Sequence, residues 1–203
     1  MKTKKSFIVV IILSIIFLSC SNNNDTIVPN SKTVFGIFKV LDDKKTVEMN
    51  GTINSNSLKN FNTLYTAYPT IKTIHIKNCD GSSDDQVNLQ LSKKVHDLNI
   101  IIHLLNNAEI ASGGVDFFLA GKKRTRGTGT KIGVHSWSDG KNEATDFPVG
   151  HANHLPYINY YKSIGFSDAD AKAFYYFTIN AAKASTIHWM TEAEIKTYKM
   201  LTS

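Results

Sequence analysis

No apolar run in this chain is long enough to form a permanent span of a bilayer. The longest, residues 7–18, is interrupted only by Ser14. As a helix it would rise about 18 Å against a hydrocarbon core of roughly 30 Å. Strong charge is also missing. The formal balance is +6, and Lys2, Lys4 and Lys5 at the extreme start account for half of it. What remains is too mild to argue for a nucleic-acid partner. Internal repeats and low-complexity tracts are absent, and nothing marks a second folded domain. There are two cysteines, Cys20 and Cys79.

The start of the chain has the parts of an export signal: lysines, then the apolar stretch, then Leu18-Ser19-Cys20. An ordinary signal ends in small residues of the Ala-x-Ala kind, whereas Leu-Ser-Cys resembles the bacterial lipobox. That resemblance implies that Cys20 becomes the first mature residue and carries lipid on its thiol and amino group. Residues 21–31, SNNNDTIVPNS, are polar and read as a flexible tether. The expected organisation is a signal peptide over 1–19, a lipidated cysteine and tether over 20–32, and one domain over 33–203. The expected location is the exported side of a bacterial envelope membrane, which argues further against nucleic acid. With Cys20 lipidated, Cys79 is the single thiol, so no internal disulfide forms and stability comes from packing.

Within the domain, residues 34–40 and 46–49 read as paired strands with a turn at 42–45. Residues 55–68 follow helical spacing up to Pro69, and 71–77 alternate as a strand before the loop at 78–83. A helix is expected over 84–98, a buried strand over 99–105, a short helix over 111–120 and a strand over 131–135. Alternating strands and helices predict parallel βαβ units with helices against the sheet. Sites in such sheets collect at the loops beyond the strand carboxyl ends. Here those are the Gly81 loop, the approach to Ser112 and the turn after His135.

Ser112 stands between a buried strand and a helix that begins with Gly113 and Gly114. Its hydroxyl would lie near the positive end of the helix dipole, and the glycines would let a substrate approach the backbone. Taken alone, the segment reads first as a helix cap, a role serine fills well.

A wider pattern changes that weighting. The stretch IHIKNCDGS from Ile74 to Ser82 resembles the strand and glycine turn of the Clp protease and crotonase superfamily. SGGVDFFLAGKKR resembles the nucleophile helix and Ala-Gly-x-x-Arg ending of its periplasmic Clp-like members. KIGVHSW resembles the strand that delivers the histidine base, and IHWMTEAEIKTYKML resembles the closing Met-Thr/Ser-x-x-Glu helix. The likeness is collinear from about Thr46 to Leu201, with Ser112 31 positions after Gly81 and His135 23 positions after Ser112. It implies a Clp/crotonase-like ββα spiral: a single α/β domain whose mainly parallel sheet is flanked by helices. It also implies Ser112 as nucleophile, His135 as base, and the N–H groups of Gly81 and Gly113 as an oxyanion hole. A serine hydroxyl needs such a base to become a useful nucleophile, and each oxyanion donor contributes about 3 kcal/mol. No metal, organic cofactor or ATPase partner is implied. Peptide or protein is the implied substrate class, and the family's habit of stacking subunits leaves room for a homo-oligomer.

The sequence departs from that pattern in two places. Asp80 replaces the first glycine of the turn and would put a carboxylate beside the oxyanion hole. The triad acid has no counterpart, since the matching stretch reads Ala184-Ser185-Thr186-Ile187-His188, leaving Asp146, Asp168 and Asp170 as candidates. Asp116 is an unusual charge inside the Ser112 helix.

Other groups read more plainly. His151 and His154 sit in a Gly/Pro-flanked loop without a familiar metal spacing. His188 beside Trp189 reads as a packed pair. Lys122, Lys123, Arg124, Arg126 and Lys131 read as a solvated basic loop, with an acidic partner or lipid headgroups as the sharper reading. The aromatic run from Tyr157 to Phe177 reads as core for the last helices, with an oligomer surface or an apolar substrate groove as alternatives. The expectation is therefore a membrane-anchored, peptidase-like serine hydrolase. A non-catalytic binding or scaffold lipoprotein on the same fold is the alternative. An acyl-CoA enzyme is disfavoured because CoA is not expected outside the cytoplasm.

Overall fold

A computed structural model describes residues 32–202. The residues expected to form the signal peptide, Cys20 and all of the expected tether but Lys32 lie outside the described residues.

Among the described residues, eight strands form one mixed sheet. The first three, β1 (Val34–Phe35), β2 (Phe38–Val40) and β3 (Thr46–Asn50), are antiparallel neighbours. The β2–β3 turn is pinned by Asp43, whose carboxylate accepts from the Lys45 and Thr46 N–H groups and the Thr46 hydroxyl. The centre is parallel: β3 pairs β4 (Thr73–Cys79), and β4 pairs β5 (Ile101–Ala111). The long β5 carries β6 (Arg124–Arg126) on its first half and β7 (Lys131–Val134) on its second, both parallel. An antiparallel β8 (His188–Trp189) closes the edge beyond β7. This is the mixed α/β single domain with a mainly parallel sheet that the alternating pattern predicts.

Helices occupy the crossovers. In α1 (Ser57–Ala67) Phe61 and Leu64 are buried, and Pro69 follows its end. In α2 (Asp85–Asp97) the Asp84 carboxylate caps the Val87 N–H at 3.0 Å, and Leu91 and Val95 face the core. The short α3 (Gly113–Leu119) is buried along its whole length. It lies against α2, where Asn88 Nδ2 donates to the Gly113 carbonyl at 2.9 Å. After β7 come α4 (Leu155–Ser163), α5 (Asp168–Ala181) and α6 (Glu192–Thr197). Ser167 caps α5, and Thr191 with Glu194 forms a capping box on α6. The core sits between sheet and helices, around Phe38, Phe61, Phe117 and the β4–β5 isoleucines.

Two expectations need correcting. The strand expected over 99–105 runs on to Ala111. Asn107 takes φ 60°, and the Asn106 and Asn107 side chains pack against Gly127 and Gly129, so the chain passes an irregular step and resumes pairing with β7. The basic segment is not simply a solvated loop, because Arg124 to Arg126 is a strand. The half-buried Arg124 guanidinium donates to the carbonyls of Met200, Lys199 and Gly121, and so clamps the end of the chain. Arg126 pairs with Glu192.

Candidate active site

The carboxyl ends of β4, β5 and β7 converge on the start of α3. Ser112 directly follows β5 with φ 51° and ψ −129°, a conformation that L-residues rarely adopt, and its side chain caps no N–H of α3. The capping reading therefore gives way: Ser112 lines a cavity instead. The Ser112 N–H donates to the Gly133 carbonyl at 3.0 Å, which ties the start of α3 to the strand leading into His135.

Both glycines of α3 are required by close approach. A Cβ on Gly113 would meet Ser82 Oγ at 2.5 Å, and one on Gly114 would meet the Cys79 carbonyl oxygen at 2.5 Å. The helix end thus rests directly on the turn after β4. There Gly81, with φ 144°, is packed so that a Cβ on it would lie 3.2 Å from Ser112 Cβ and 3.6 Å from its Oγ. Gly113 opens the helix, so its N–H has no intrahelical acceptor. The Gly81 N–H makes no backbone–backbone hydrogen bond among the described residues, and it bears on the Cys79 thiol instead. Asp80, expected to crowd this spot, accepts from the Thr52 hydroxyl at 2.7 Å and lines a different groove.

Ser112, Gly113 and His135 line one cavity of about 40 Å³. That is room for roughly three waters. Burial holds the His135 ring below its usual range. The Ser136 and Ala184 backbones and the carboxylates of Asp85 and Glu143 offset part of that effect. His135 Nδ1 is buried and meets no hydrogen-bond partner among the described residues. The candidate triad acids are engaged elsewhere. Asp146 closes a cap with Glu143, Asp168 pairs with Lys162 and Lys172, and Asp170 pairs with Lys199. The stretch that lacks an acid does reach the histidine, but through the backbone of Ala184, whose N–H donates to Glu143 Oε1 at 3.3 Å.

The other histidines have structural partners. His154 is buried with Nδ1 2.7 Å from the Tyr175 hydroxyl, His151 caps a 3-10 turn, and His188 Nε2 lies 3.0 Å from Glu194. Cys79 is buried, and its thiol is pushed up to about 11 chiefly by burial.

Asp85 and Trp137 line the cavity without having been singled out by the sequence, and Tyr157, Tyr161 and Tyr175, read first as core with an apolar substrate groove as alternative, line it too. They come from α2, the turn after β7, α4 and α5, and only the tertiary fold brings them together. Asp116 is the exception. A charge within the apolar run of α3 was a legible signal, and it lines this cavity.

The chain is similar to solved protease structures. The 1510-N membrane-bound stomatin-specific protease, in a mutant complexed with a substrate peptide, is 19% identical over 76% of this chain and 71% of its own, with a TM-score of 0.49. ClpP1 from Listeria monocytogenes is 17% identical over 78% of this chain and 89% of its own, also with a TM-score of 0.49. No family model and no curated protein matches the chain.

Proposed function

We propose that the protein is a lipid-anchored, peptidase-like serine hydrolase of the bacterial envelope. Ser112 Oγ attacks a peptide or ester carbonyl as His135 takes its proton, and the oxyanion is received by the Gly81 and Gly113 N–H groups. Collapse of the intermediate breaks the bond to the leaving group, which departs with the proton from His135. Water then hydrolyses the acyl-Ser112 ester by the same route. The scheme needs no metal, organic cofactor or nucleotide. The single observation that carries the reading is the backbone of Ser112: a strained φ of 51° and a hydroxyl withheld from capping, on a cavity wall shared with His135. Strain of this kind persists where surrounding structure enforces it, and it clusters at functional sites.

One observation favours a second reading, a binding or scaffold protein on the same fold: among the described residues no carboxylate meets His135 Nδ1. A fluorophosphonate probe separates the two. Wild type is expected to be labelled at Ser112, and Ser112→Ala is expected to stay unlabelled. Equal behaviour of the two proteins would hand the case to the binding reading.

A further inference from the structure

The cavity beside Ser112 carries groups that the acyl-transfer scheme leaves unused. Asp116 on α3 is only 8% exposed, yet it faces the cavity. Its Oδ1 accepts from the Tyr161 hydroxyl at 2.6 Å, while no protein donor meets Oδ2 among the described residues. The Tyr160 hydroxyl, the other near donor, goes to the Asp116 backbone carbonyl. At the mouth, the exposed Asp85 carboxylate accepts from the hydroxyls of Ser82 and Tyr157. The Tyr157 ring stacks between Trp137 and Tyr175, at interplanar angles of 14° and 21°. No lysine or arginine lines the cavity.

Oδ2 is open to the cavity, and a carboxyl otherwise so buried is costly to ionise until a counter-charge reaches it. Aromatic walls add attraction for the same sign of charge. The protein supplies no cation here, so the substrate is the available source. The cavity, about 40 Å³, has room for the narrow end of a linear side chain.

We propose that this cavity selects the substrate, taking the ammonium tip of a lysine side chain on the residue whose carbonyl Ser112 attacks. The inference rests on Ser112 being the nucleophile. Burial pushes the Asp116 carboxyl up to about 7, with Asp85 adding to the rise. An arriving ammonium supplies the charge that the site lacks. The ionisable groups facing Asp116 are Asp85 on α2, Tyr157, Tyr160 and Tyr161 on α4, Tyr175 on α5, and His135. The four tyrosines are held above their usual range and stay neutral donors.

Two peptidyl diphenyl phosphonates, identical except for lysine or norleucine at the residue bearing phosphorus, test this. Ser112 Oγ bonds to phosphorus, and phenoxide leaves, taking up the serine proton as phenol. The lysine probe should label wild type about tenfold faster than the norleucine probe at mildly alkaline pH. The preference should grow as pH rises through the Asp116 range and fall to near unity in Asp116→Asn, which keeps the acceptor for Tyr161. Asp85→Asn, at the exposed mouth, should reduce it less and serves if the first variant does not fold. Equal rates for both probes on a labelled wild type overturn the proposal. If no probe touches Ser112, it is the hydrolase reading that fails. The pocket is then judged by calorimetry with lysine- and norleucine-ended peptides: a lysine preference lost in Asp116→Asn sustains it, and equal affinities overturn it.

Discussion

At Ser112 local stability is given up. Its φ of 51° and ψ of −129° suit glycine and strain an L side chain, and the hydroxyl returns nothing by capping. Ser112→Gly should therefore raise stability by about 1 kcal/mol, despite the extra freedom of an unfolded glycine. A urea unfolding midpoint reads this directly, and a lower midpoint would mean that the conformation carries no strain. Asp116 gives up stability in a pH-dependent way. Its folded carboxyl titrates near 7 because it is buried, above its unfolded value. A raised carboxyl contributes stability that is complete below the unfolded pKa and is lost as pH rises through the folded one. The window runs from about 4 to about 7, and the full difference is roughly 4 kcal/mol. Asp116→Asn, which does not ionise, should gain stability over wild type when the medium goes from acid to mildly alkaline. Parallel urea melts at the two ends of the window check it, and a constant difference between the proteins would refute it. His135 runs the other way. Its folded pKa is depressed by burial, so its contribution is present above the usual histidine range and is lost as pH falls through the folded value.

At the scale of elements, legibility tracked how local the determinant is. The paired strands at 34–49, the helix ended by Pro69 and the Asp84-capped α2 were readable because spacing and caps are written in adjacent residues. The continuation of β5 through Asn106, Asn107 and Glu109 was not. Polar residues at a strand end look like a loop until Gly127 and Gly129 are known to lie against them. Arg124 failed for a similar reason: a run of basic residues reads as solvated unless the carbonyls of residues 199–200 are known to surround one guanidinium. The approach of Gly81 and Gly113 to Ser112 was legible only as a collinear pattern of short motifs. The remainder of the cavity wall comes from four separate segments, and no sequence spacing encodes their convergence. The aromatic run from Tyr157 to Phe177 read first as core. It is core on one side, and at Tyr157, Tyr161 and Tyr175 it is also cavity wall.

At the scale of the whole molecule, the proposed anchor bears on which chemistry is within reach. A domain held outside the cytoplasm would lack ready access to ATP and CoA, and the proposed Ser112–His135 hydrolase requires neither. The fold suits an oxidising compartment as well, since Cys79 is buried with its thiol pushed up to about 11, far from the thiolate that disulfide exchange requires. Among the described residues no helix is long and apolar enough to cross a membrane, and the proposed anchor rests on Cys20 alone. One acyl chain binds a bilayer only marginally, whereas the lipid on thiol and amino group implied by the lipobox supplies several chains and a lasting hold. Full-length protein made in bacteria should incorporate labelled palmitate and, by mass spectrometry, begin at a modified Cys20. Cys20→Ala should incorporate none. A mature chain beginning elsewhere without lipid would overturn the anchor while leaving the chemistry at Ser112 to be judged separately, because the domain over residues 33–203 carries every group that chemistry uses.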